Sequence, residues 1–248
     1  MKLYGDFNKQ DWMEAIKMEE KFIPSSIILH GELEHEWNMA TWRKILSGAQ
    51  WFPNLNILIG DYGDSRLGFS NVYGGSQVSI VAHRFAAMGA DKFIQTGYFG
   101  GLSNQVKHGD IFIVTGAYME DGISHWYLPD EKFVKADEQL VEAAIRYCKE
   151  REYTYVTGTI ITTGTFMMET AEIVEGWSKA GYLGVDMETS ATFAIAKRFG
   201  KKAIGLLNLT DHIISGETFY NGNERSEKIE EETDERIRQL ALHLAGLN

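Results

Sequence analysis

A chain of 248 residues, 44% hydrophobic and 24% charged, has the balance of a globular protein able to bury a sizeable core, which excludes a disordered chain. Its 24 basic and 35 acidic side chains leave a formal charge of -11, a field that repels phosphate backbones and anionic lipid and so argues against nucleic acid and membrane as partners. No basic region with an apolar run opens the chain and no later stretch offers about 18 uninterrupted apolar residues, so a soluble, unexported, cytoplasmic protein is expected.

Taken in chain order, the predicted strands are the apolar runs at 26–29 and 56–59. A helix follows, with Val78, Val81, Ala82 and Phe85 on one face. Strands at 92–96 and 110–115 lead to a helix with Leu140, Ala144, Tyr147 and Cys148 in its apolar stripe, and strands at 155–162 and 203–209 precede a last helix marked by Ile237, Leu240, Ala241 and Leu244. Cys148 is the single cysteine; it can neither close an internal disulfide nor supply a multi-cysteine metal site, and its place in the stripe makes it core. Several runs are rich in Ile and Val and nearly unbroken, as in strands covered on both faces. Alternation of strands and helices predicts an α/β fold of three layers, α/β/α, around a central mixed, largely parallel sheet, with residues 1–248 as a single domain. The charge run at 224–238 reads as a solvated helix face, with Arg225 at its start as a candidate exception.

Four segments could carry chemistry. Asn71-Val72-Tyr73-Gly74-Gly75-Ser76 leads into a helix, where glycines let backbone amides approach a ligand and Ser76 could cap, or where the turn is merely structural. Gln95-Thr96-Gly97-Tyr98-Phe99-Gly100-Gly101 follows a strand, where α/β sheets place ligands, but its glycine spacing is not a dinucleotide fingerprint. Gly184-Val185-Asp186-Met187-Glu188 passes from a strand into a helix with two carboxylates, of which Glu188 could serve function or simply the helix dipole. Thr210-Asp211-His212 ends a strand with an acid that could protonate a leaving group or cap a helix.

In combination these segments resemble the hexameric-type purine nucleoside phosphorylases and their nucleosidase relatives. The resemblance rests on Gly-Val-Asp-Met-Glu at 184–188, on Ala191 and on Asp211-His212-Ile213, and its order and spacing hold across roughly residues 74–245. It implies that Met187 and Glu188 hold the ribose, and that Asp211, assisted by Arg225, protonates the purine N7. Phe166, in Thr163-Gly164-Thr165-Phe166, would stack on the base, with Phe99, Gly100, Val185 and Asp186 lining the same pocket. The family's phosphate-binding Gly-Asp-Pro-x-Arg loop stands here as Gly31-Glu32-Leu33-Glu34-His35, its second arginine as Gln95, and the adjacent serine or threonine as Tyr98. Loss of those arginines removes charge-assisted contacts of about 1.5–3 kcal/mol each.

The resulting expectation is an enzyme that cleaves the N-glycosidic bond of a purine-like nucleoside. Water is favoured over phosphate as acceptor and is positioned by Glu34, with Glu32 as the alternative; Gly31, His35, Gln95 and Tyr98 form the acceptor pocket. Phosphorolysis at a rebuilt phosphate site is the alternative within the enzyme class, and a non-catalytic nucleoside-binding protein the alternative outside it. The resemblance implies a homo-oligomer, and neither a cofactor nor a metal is expected.

Overall fold

The computed structural model of the chain describes residues 1–218, 220–221 and 224–247, and of 224–227 the backbone alone. Its strands are β1 (Ser26–Gly31), β2 (Ser47–Phe52), β3 (Ile57–Tyr62), β4 (Ser65–Val72), β5 (Lys92–Gly101), β6 (Ile111–Glu120), β7 (Phe133–Lys135), β8 (Tyr155–Thr163), β9 (Gly184–Asp186) and β10 (Lys202–Asp211). The helices are α1 (Lys9–Ile16), α2 (His35–Ile45), α3 (Gly75–Met88), α4 (Ser124–Tyr127), α5 (Glu138–Glu150), α6 (Ala171–Lys179), α7 (Thr189–Arg198) and α8 (Glu224–Ala245). No helix among the described residues is long and apolar enough to cross a membrane.

The strands join in one mixed sheet, and alternate residues explain why helices cover both of its faces. Ile27 and Leu29 of β1, Phe93 of β5 and Leu207 of β10 pack with Val78, Val81 and Phe85 of α3 and Phe193 of α7. Ile28, Ile94, Ile204 and Leu206 point the other way, into a core built with Trp42 of α2, Cys148 of α5 and Leu240 of α8. The α/β/α layering thus follows from side-chain alternation along strands with no solvated face.

Parallel strands β4, β1, β5 and β10 form the middle of the sheet. Beyond β10 the sheet curls back on itself. Strand β6 runs antiparallel to β10, β8 pairs parallel to β6, β9 parallel to β8, and β9 returns antiparallel to β5. Five strands therefore close a ring, from which the β1-β4-β3-β2 arm extends open and to which β7 adds on β6.

Two local features differ from the sequence-based expectation. Residues 97–101, expected as a glycine loop, continue β5; a Cβ on Gly97 (φ +133°) would lie 2.6 Å from the Gly31 carbonyl oxygen, so glycine alone allows the two strand ends to touch. Gly74 (φ +80°), rather than Ser76, occupies the cap of α3, and Ser76 lies inside the first turn.

Phe85 has no solvent exposure and fills the space between α3 and the sheet. Phe85→Ala is expected to cost about 3–5 kcal/mol through lost burial and the cavity left behind, read as a lower urea midpoint at unchanged slope.

Candidate active site

Four parallel strands end on the same side of the sheet, and the segments that leave them enclose a cavity of about 450 Å³. Tyr73 follows β4, residues 31–34 leave β1, Tyr98, Phe99 and Gly100 end β5, and Thr210 and Asp211 end β10. This is where open α/β sheets offer a ligand crevice. Strand β9, which joins β8 to β5 in the ring, adds Val185 and Asp186, the corner that leads from it into α7 adds Met187 and Glu188, and the turn after β8 adds Phe166 and Glu169.

Glu188 is buried because two glycines make room for it. A Cβ on Gly31 would sit 2.8 Å from Glu188 Oε2. The amide of Gly74 donates to Glu188 Oε1 at 2.5 Å, and the amide of Met187 donates to Oε2 at 3.3 Å. The Gly74 amide is thus spent on this carboxylate rather than left for a ligand. Burial, followed by the charge of Asp186, pushes the Glu188 carboxyl well above the ordinary range. Asp186 lines the wall, but its oxygens are engaged from behind: Thr162 Oγ1 donates at 2.7 Å, the Thr189 amide at 2.9 Å, and Thr189 Oγ1 completes the set. It acts as a brace that fixes the β9 to α7 corner.

On the opposite wall Asp211 is raised to about 6 by burial and by the charge of Glu217. Glu169 beside it is raised to about 7 by burial and by the charge of Asp211. Phe166 lines the cavity together with both. Phe99 lies against the floor but is 2% exposed, its ring packed on Phe112 at 4.9 Å, so it shapes the pocket from the core side.

At the far end Glu32 is half-buried and held. His30 Nε2 lies 3.1 Å from its Oε2, and Asn38 Nδ2 donates to the same oxygen. Glu34 also lines the cavity, with an exposed side chain at the start of α2. Tyr98 lines this end and donates its hydroxyl to Asp234 of α8.

Two expected members do not line the cavity itself. Gln95 is fully buried between β5 and α7, its Oε1 accepting from Thr192 Oγ1 at 2.8 Å and its Nε2 donating to the Thr96 carbonyl at 2.9 Å, so it faces no cavity wall. His35 packs edge-on to Trp51 at 5.5 Å and lines an adjoining hollow of about 270 Å³ that shares Glu32, Leu33 and Tyr73 with the cavity. The side chain of Arg225 lies outside the described residues. The remaining expected residues, Gly31, Glu34, Tyr98, Phe99, Gly100, Phe166, Val185, Asp186, Met187, Glu188 and Asp211, share the one cavity.

Sequence reasoning does not single out Glu169 or Glu230. Glu230 comes from α8, within the run that reads as a solvated face, and is raised to about 7 by burial and by the charge of Asp234. A signal exists: positions 230, 233, 234 and 237 share one helix face, and that face carries the buried Thr233 and Ile237. Seven of the lining residues carry carboxyl groups and, among the described residues, none of the lining carries a basic side chain.

The sequence pattern of the phosphorylase superfamily matches residues 37–245, a longer span than the motifs alone cover. The chain is 28% identical over 165 residues to a purine nucleoside phosphorylase, DeoD-type, of Mannheimia succiniciproducens, covering 61% of this chain and 69% of that one. It is 29% identical over 164 residues to a DeoD-type 2 purine nucleoside phosphorylase of Vibrio parahaemolyticus, covering 60% and 70%. Among solved structures, uridine phosphorylase from Vibrio fischeri has a similar fold, with a TM-score of 0.80 at 19% identity over 93% of this chain and 95% of the other.

The raised Glu169 carboxyl has a consequence for stability. A folded-state value above the unfolded one stabilises the fold where the group is protonated, below about pH 4.5, and that contribution is lost as pH rises through about 7. Glu169→Gln is therefore expected to melt close to the wild type at pH 4.5 and above it at pH 8, a crossover that thermal melts at the two pH values check.

Proposed function

From the premise that the chain belongs to the phosphorylase superfamily, whose members are glycosyl-bond-cleaving enzymes, we propose that it releases a purine base from a nucleoside with water as the acceptor. The observation that carries the choice of water is the carboxyl-lined cavity without a described basic side chain. Two like charges about 4 Å apart repel by about 4 kcal/mol at an effective dielectric of 20. An inorganic phosphate dianion would meet the ionised fraction of those carboxyl groups without the bidentate contacts that normally hold it. Water needs no such countercharge.

In this reading the base stacks on Phe166 and the ribose hydroxyls donate to Glu188, with Met187 beneath the sugar. Asp211 gives a proton to N7, the C1′–N9 bond breaks with its electron pair going to the base, and water attacks C1′ from the side of Glu32. We assign the water to Glu32 ahead of Glu34, because His30 and Asn38 fix the Glu32 carboxylate whereas the Glu34 side chain is exposed. Arg225 would assist Asp211. Developing positive charge on the ribosyl ring is stabilised by preorganised carboxylates. Exposed Leu33, Tyr73 and Ile80 beside the cavity support a homo-oligomer, and the single buried cysteine is in keeping with a cytoplasmic setting.

Phosphorolysis is the second reading, favoured by the relatives, which are purine nucleoside and uridine phosphorylases. The two readings part on the product. Chromatography of purine nucleosides incubated with and without phosphate is expected to give free base and free ribose in both; strict dependence on phosphate with ribose 1-phosphate as product would reverse the assignment.

Asp211→Asn keeps the shape of the side chain but carries no acidic proton. It is expected to lower kcat for ordinary purine nucleosides by about 10² or more, and to spare N7-methylated ones, whose base leaves without a donated proton. Equal losses on both substrates in a folded variant would remove Asp211 from the chemistry.

A further inference from the structure

Helix α8 brings into the cavity a carboxyl group that the hydrolytic reaction has not yet been given a use for. Thr210 Oγ1 donates to Glu230 Oε2 at 3.3 Å, and Thr210 directly precedes Asp211 in the chain. Glu32, the group that holds water, is close enough for its charge to act on Glu230, and so is Asp211. One turn further along α8, Asp234 accepts from Tyr98 and, at 2.8 Å, from Asn208 Nδ2; the same amide donates to the Glu230 carbonyl at 2.9 Å. This stretch of α8 is thereby tied to β5 and β10, and Glu230 is held at a fixed place between the water end and the base end of the cavity.

We propose that Glu230 is the proton acceptor of the hydrolysis, the group that takes the proton lost by water as its oxygen bonds to C1′. The inference rests on the hydrolytic reading. The C1′–N9 electron pair leaves with the base, the Asp211 proton goes to N7, the water oxygen forms the new bond to C1′, and its proton passes to Glu230. Solvent then carries a proton from Glu230 and returns one to Asp211. Glu32, whose Oε2 is held by His30 and Asn38, keeps the task of positioning the water.

The surroundings suit the task. Burial, then the charges of Asp234, Glu32 and Asp211, raise the Glu230 carboxyl to about 7, while the Thr210 hydroxyl lowers it. Tyr98 faces it from β5, and Glu169 and Glu188 share the cavity. A base poised near the working pH is the most effective one.

The test is the pH profile of kcat/KM without phosphate on N7-methylated adenosine, which needs no proton from Asp211 and whose base does not titrate near neutrality. The wild type should show an acid limb near pH 7, with activity rising as Glu230 ionises. Glu230→Gln should lose about a hundredfold on the plateau and lose that limb. Asp234→Asn, which removes a charge that raises Glu230, should move the limb to lower pH, and Thr210→Val, which removes the hydroxyl that lowers it, to higher pH. These two decide the matter should Glu230→Gln fail to fold. A limb that persists in Glu230→Gln, or that stays in place in the other two, would overturn the assignment alone. Phosphate-dependent turnover by the wild type would overturn it together with the hydrolytic reading.

Discussion

The site is organised around the burial of one carboxylate. Taking Glu188 out of water next to Asp186 is costly, and an isolated ionised group in such a place would cost far more than a domain can spare. The fold offsets this with two backbone amides, from Gly74 and Met187, and with the absence of a side chain at Gly31. Each requirement reaches into a different element. Gly74 must hold a positive φ at the start of α3, Gly31 must end β1 bare, and Asp186 must be clamped by Thr162 of β8 and Thr189 of α7. Three strands and two helices are thus tied to one oxygen pair, so a change at any of them moves the Glu188 carboxyl in the cavity wall.

Closure of the sheet serves the same end. An open parallel sheet would offer the ends of β1, β5 and β10 as a shallow edge. Here β9 returns antiparallel to β5, which puts Val185 opposite Gly100 and lays Phe99 over Gly184, where a Cβ would meet the ring at 2.3 Å. The crevice acquires a second wall, and the carboxyl groups of that wall face those of β10 and α8.

Much of this is legible in the sequence because it follows periodicity. The Ile- and Val-rich runs that form β1, β5, β6, β8 and β10 announce two covered faces, and the helical stripes around Phe85, Cys148 and Leu240 announce what covers them. Strands β2 and β4 are not legible: Ser47–Phe52 is an edge strand with little burial, and Ser65–Val72 is broken by polar residues and Gly68. At the site, residues in local motifs are readable, since Met187, Glu188 and Asp211 sit at strand ends. Gln95 and His35 stand away from the expected acceptor pocket for a reason that no spacing carries. Gln95 lies deeper along β5 than the cavity-lining Tyr98 and Phe99 and is covered by Thr192 of α7, and His35 at the start of α2 lines the adjoining hollow. Glu230 is hidden by its neighbours, because a run dense in Glu, Lys and Arg reads as solvent-facing until the helix is set against β10.

The upward displacement of Glu169 and Glu230 to about 7, with Asp211 near 6, means that near neutrality this cavity has no single charge state. It is an equilibrium mixture of proton isomers, in which a proton gained by one carboxyl alters the affinity of the next. A ligand that fills the space selects among those isomers, so its binding is accompanied by uptake or release of a fractional number of protons. The heat of association measured for this protein then includes the ionisation heat of the buffer, and changes from one buffer to another at the same pH.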